Sequence, residues 1–130
     1  MTTEQQFSKE YIAFMQSDEA KALQKGREFG IGDWYIPRPE RPEPQLIKNR
    51  LDMSCRDVRW IKLFTLFQLI RVIEGAGWRV SMRSPVHGVP GRDRWMVMGT
   101  PPSGSARAEI HNDDLLLAAA QLAVRAVEDV

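Results

Sequence analysis

The chain has 130 residues, 43% of them hydrophobic and 27% charged, the size and composition of one ordinary globular domain. A chain of this length buries roughly two-thirds of its unfolded surface, so it needs neither disulfides nor a metal to fold. Lys+Arg of 18 against Asp+Glu of 17 give a formal net charge of +1, which removes the simplest case for a nucleic-acid or membrane-surface protein. The one cysteine, Cys55, excludes an intramolecular disulfide and a cysteine-based zinc cluster. No apolar stretch approaches the roughly 18 residues that span a bilayer. The start Met1-Thr2-Thr3-Glu4-Gln5-Gln6 lacks the basic opening and apolar run of a signal peptide. The default expectation is a soluble protein of the reducing cytoplasm.

The charge is uneven along the chain. Residues 1–37 hold four basic and six acidic groups, residues 38–94 twelve and six, and residues 95–130 two and five, for local charges of −2, +6 and −3. Arginine supplies 13 of the 18 cations, and its planar fork suits carboxylate and phosphate. The plainest expectation is that the three segments neutralise one another across their contacts.

Phe7, Tyr11, Phe14 and Met15 recur at helical spacing and predict an amphipathic helical segment within residues 1–29. Ser17-Asp18-Glu19 either caps a second helix or continues the first, and Gly26 weakens its end. The aromatic stripe must be covered by its own domain or by a second copy of the chain, a homodimer through the amino-terminal helix. Gly30 to Ile36 reads as a turn entering a short strand. Its two glycines do not make a phosphate loop, because no capped helix follows.

Pro37, Pro39, Pro42 and Pro44 place four prolines in eight residues, a stiff spacer over 37–44 that cannot join a central strand. Pro39-x-x-Pro42, flanked by Arg38 and Arg41, is the crude form of an aromatic-groove ligand, but it arises easily by chance. Leu46, Ile47 and Leu51 suggest a short strand, and Val58 to Leu63 a second strand or the approach to a helix.

Thr65-Leu66-Phe67-Gln68 fits a capping box, with Phe64 and Leu69 as its hydrophobic staple. Leu66, Leu69, Ile70 and Ile73 make one apolar face, and Gly75-Ala76-Gly77 stops the helix. Trp78 to Ser84 alternates apolar and polar residues as a strand does. Pro85 to Asp93 is a turn-rich tip, and Arg94 to Met98 returns as the second strand of a hairpin. After the loop Pro101 to Ser105, Ala106 to Ile110 adds a third strand. Asn112 then serves as a helix cap, with Asp113 and Asp114 in the first turn of a final alanine-rich helix over Leu115 to Val127.

Reactive groups are sparse. His87 falls in the hairpin tip and His111 beside the helix cap. His111 with Asp113 and Asp114 lacks the i, i+4 spacing of ligands on one helix face, so no metal is expected. Cys55 has Arg56 and Arg59 nearby, yet nothing places a histidine base beside it. Glu40 and Glu43 sit in the proline spacer, a poor seat for a rigid acid–base pair. There is no Gly-x-Ser-x-Gly elbow, Walker loop or His-Glu-x-x-His. The expectation is a protein with no catalytic residues and no cofactor. The constellation with most content is Arg79 and Arg83 on the polar face of the first hairpin strand, with Arg92, Arg94 and Trp95 at the start of the second. Arginine beside an aromatic ring anchors protein partners, and the same groups grip phosphates and stack bases.

Leu69-Ile70 through Gly77-Trp78-Arg79-Val80, then Gly91-Arg92-Asp93-Arg94-Trp95, then Ala106 to Val127, give an order of elements that resembles the phage ABA sandwich domain. Gly32-Asp33-Trp34, and Trp60-Ile61 ahead of the capped helix, are similar to uncharacterised phage proteins of that layout. The resemblance spans residues 60–128, implies a helix–sheet–helix sandwich in a phage or prophage setting, and brings no catalytic residues. The proline spacer and the first half depart from it.

These readings predict one α+β domain over residues 1–130, in which helices pack on a small, mostly antiparallel sheet, with residues 60–128 as its core. They also predict a non-enzymatic, phage-type accessory protein of the cytoplasm that binds a protein partner and no membrane. A nucleic-acid-binding module using the arginine-rich hairpin is the alternative.

Overall fold

Ser8 opens the first helix of the computed structural model, which describes residues 7–54, 59–104 and 106–128. The Ser8 hydroxyl accepts from the Tyr11 amide at 3.0 Å, and α1 runs Lys9–Gln16. The chain breaks at Ser17, whose amide donates back to the Phe14 carbonyl. A 3-10 turn, Asp18–Ala20, then leads into the short α2, Lys21–Gln24. Phe7 and Tyr11 are buried, stacked on each other, and Phe7 meets Trp34 edge-on at 5.6 Å between ring centres. Phe7, Tyr11 and Met15 of the aromatic stripe are thus buried within the chain, and Phe14 is half-buried.

That sheet contains β1 Trp34–Ile36, β2 Gln45–Leu46 and β3 Ile61–Leu63 in the order β2-β1-β3, all antiparallel. The ladder between β1 and β2 is prolonged by the Ile47 amide donating to the Asp33 carbonyl and the Gly32 amide to that of Ile47. Those bonds seat Ile47 fully inside. The prolines of 37–44 thus form the long loop of a hairpin rather than a link between bodies, with a turn in which the Arg41 amide donates to the Arg38 carbonyl. The short helix α3, Arg50–Ser54, follows β2. The Tyr11 hydroxyl donates to the Phe64 carbonyl at 2.6 Å, which fastens α1 to the end of β3.

The chain divides into two compact units, Met1–Phe64 and Thr65–Val130. The second opens with the capping box expected from sequence: the Thr65 hydroxyl accepts from the Gln68 amide and the Gln68 side chain accepts from the Thr65 amide. Helix α4, Leu66–Gly75, buries Leu69 and Ile73. Strands β4 Arg79–Arg83, β5 Trp95–Thr100 and β6 Ala108–Asn112 form an antiparallel sheet in chain order. Helix α5, Leu115–Glu128, packs against α4 and against β5 and β6. Its alanines 118, 119, 120, 123 and 126 are fully buried, and such small side chains let backbones approach closely.

The fold class is α+β, with two small sheets where sequence suggested one. The cap of α5 is Asp114 rather than Asn112. The Asp114 carboxylate accepts from the Leu116 and Leu117 amides at 3.0 and 3.3 Å. Asn112 instead ends β6 opposite Trp95, and its side-chain oxygen accepts from the Asp114 amide at 2.9 Å.

Candidate binding surface

The alternation of a strand assigns each side chain of the second sheet to one of two faces. Val80 opposes Gly99 and Met82 opposes Val97, so these residues share the face on which the helices pack, and Trp95 belongs with Val97 and Gly99. Arg79 opposes Thr100, Ser81 opposes Met98 and Arg83 opposes Met96. Across β5, Met96 and Met98 oppose His111 and Glu109. The second face is thus a methionine row between an arginine strand and a strand whose His111 and Glu109 lie 3.6 Å apart.

Of the five expected site residues, the register separates Trp95 from Arg79 and Arg83. Arg79 and Arg83 share the face away from the helices. Trp95, half-buried, lies on the opposite face, and Arg94 is held 3.4 Å from Asp113. Arg92 sits in the hairpin tip, where its backbone rather than its guanidinium is engaged. Among the described residues, Arg79, Arg83 and Arg92 have no ion pair. Within the described residues, the expected mutual neutralisation therefore does not reach them. Cys55 and Asp57 lie outside the described residues.

The tip is an ordered arm. Val86-His87-Gly88-Val89 and Val89-Pro90-Gly91-Arg92 are successive turns, closed by amide-to-carbonyl bonds Val89 to Val86 and Arg92 to Val89. Gly88 and Gly91 occupy the third position of each turn with φ of 81° and 78°, the left-handed conformation that a type II turn demands there. Pro90 presets the second position of the second turn. The Val86 amide then donates to the Arg92 carbonyl at 2.5 Å, shutting the arm at its base. Every residue from Ser81 to Arg94 is exposed, including Met82, Val86 and Val89.

Helix α4 packs beside β4, and its first turn carries a second exposed apolar group. Phe67 in that turn is 68% exposed, with the Arg71 guanidinium 5.6 Å from its ring centre. The unit therefore carries exposed apolar groups beside arginines in two elements, the arm and the first turn of α4. Sequence reasoning found the arginines and passed over Phe67, Val86 and Val89. An apolar residue beside glycine and proline in a closed turn has nowhere to be buried, and that was the available signal. His87 and His111 are both exposed and belong to different elements. Among the described residues, no three His, Cys, Asp or Glu side chains group as metal ligands would, and no helix is long and apolar enough to cross a membrane.

No protein-family model, curated protein or solved structure matches the chain.

Proposed function

We propose that this chain is a non-enzymatic protein-binding module whose contact surface is the β4–β5 arm. The observation that carries the reading is the run of exposed residues from Ser81 to Arg94, in which Val86 and Val89 stand between Arg83 and Arg92, two cations without an ion pair among the described residues. Apolar anchors ringed by arginine are the composition of protein interfaces. The net positive charge of residues 79–94 selects an acidic partner surface bearing apolar groups. The exposed Val86 and Val89 favour a protein over a nucleic acid, whose affinity comes mainly from phosphate contacts. The resemblance to the phage ABA sandwich domain adds a phage or prophage setting, in the cytoplasm, as context.

Selection from a random peptide display library on the immobilised protein tests this. The expected result is enrichment of peptides that combine acidic with apolar residues, with binding weakened about tenfold, or 1.4 kcal/mol, by Val86→Asp and by Arg83→Glu. Absence of enrichment, indifference to both substitutions, or tight salt-dependent binding of random-sequence RNA or DNA instead would overturn it.

A further inference from the structure

We infer that the free edge of β4 accepts an acidic, extended segment of the partner as a fourth, hydrogen-bonded strand of the second sheet. This rests on the protein-binding reading above and names how the partner is held. An unpaired strand edge is a template for any extended chain, and proteins ordinarily cover such edges. This chain covers one of its own with care. At β3, the Gln24 side chain donates to the Lys62 carbonyl and accepts from the Lys62 amide, both at 2.9 Å. One residue's amide thereby does what a neighbouring strand would do. The Arg27 Nε adds a bond to the Trp60 carbonyl at 2.9 Å. Beyond its ladder with β5, β4 has no comparable cover: no hydrogen bond from the described residues reaches the backbone of Arg79–Arg83 on its other side.

The side chains of that edge specify what fits. Arg79 and Arg83 stand on the same face, four residues apart, with no ion pair among the described residues. Opposite charges facing each other across an antiparallel pair are favourable and like charges unfavourable. A second copy of β4 laid antiparallel would set arginine against arginine, so this edge rejects its own kind. A strand with acidic residues four apart would set a carboxylate against each. The other outer edge of the sheet, β6, offers no such vacancy for charge, because Glu109 and His111 lie 3.6 Å from each other. Strand addition of this kind draws affinity from the main chain and specificity from alternate side chains.

The probe is a capped peptide of about eight residues that alternates glutamate with valine, long enough to lie along a five-residue strand. It is titrated into the full chain with amide hydrogen exchange followed by NMR. The expected result is binding weakened by salt, new protection confined to amides of residues 79–83, and about tenfold weaker binding to Arg79→Glu or Arg83→Glu. N-methylation of alternate peptide residues should abolish binding in one phase and spare it in the other, since only every second amide faces β4. A peptide that binds without protecting residues 79–83, or that tolerates N-methylation in both phases, overturns strand addition. So does failure of this peptide to bind when display-selected peptides do, and in each of these cases the protein-binding reading stands. Loss of that reading shows itself separately, as a display selection that enriches nothing.

Discussion

Trp78 lies over Gly99 so closely that a Cβ placed there would stand 2.8 Å from the indole Cε3 and 2.9 Å from Leu122 Cδ1. The glycine is the point at which β5, α5 and the residue before β4 meet without a gap. Gly99→Ala should therefore overpack the unit and destabilise it by about 1–3 kcal/mol. Urea unfolding followed by tryptophan fluorescence measures this, and an unchanged midpoint would refute it.

Tyr11 ties α1 to the last residue before the second unit. Tyr11→Phe keeps the ring and its stacking but takes the hydroxyl from the Phe64 carbonyl, a buried bond of 2.6 Å. The expected loss is about 1–2 kcal/mol, read from thermal denaturation, with the fold retained by circular dichroism.

The start of α5 separates a structural aspartate from an incidental one, and the cap of α4 gives a comparison. Asp114→Ala should cost about 1–2 kcal/mol through its bonds to the Leu116 and Leu117 amides. Thr65→Ala should cost about 1 kcal/mol, by breaking the capping box of α4. Asp113→Ala removes only an exposed pair with Arg94, 78% and 56% exposed, worth under about 0.5 kcal/mol. A chemical-denaturation series that ranks Asp113→Ala with Asp114→Ala would contradict the assignment of the cap.

Gln24→Ala opens the sealed edge of β3. The Lys62 amide and carbonyl lose a partner each, at a cost of about 1–2 kcal/mol. Exchange of the Lys62 amide should quicken more than that of amides in β5. If the substituted chain also self-associates at high concentration, by light scattering, the side-chain amide is acting as a guard as well as a brace.

Elements whose signals are local were legible in the sequence. The box Thr65-Leu66-Phe67-Gln68 contains its own cap, and the alternation from Trp78 onward states its strand without reference to anything distant. The start of α5 was harder because Asn112, Asp113 and Asp114 can all cap a helix. The choice falls to Asp114 once β6 pairs Asn112 with Trp95, a decision made across strands. Cross-strand proximity puts Trp95 or Trp78 at the edge of the arginine patch, whereas the register places Trp95 with Val97 and Gly99. Four consecutive apolar residues, Trp95-Met96-Val97-Met98, carry no period that could have revealed the face. The pairing of the arginines is likewise a tertiary matter, since no local pattern states that Asp113 takes Arg94 while Arg79, Arg83 and Arg92 have no ion pair among the described residues.

The double turn at the head of the arm bears on timing and on selectivity. Its backbone is already set by Gly88, Pro90 and Gly91 and latched where Val86 meets Arg92. In the binding proposed above, the loss of backbone freedom would therefore fall mainly on the incoming chain, while the arm would lose side-chain freedom only. A partner of the proposed kind would then have to match the shape of the arm as well as its charge.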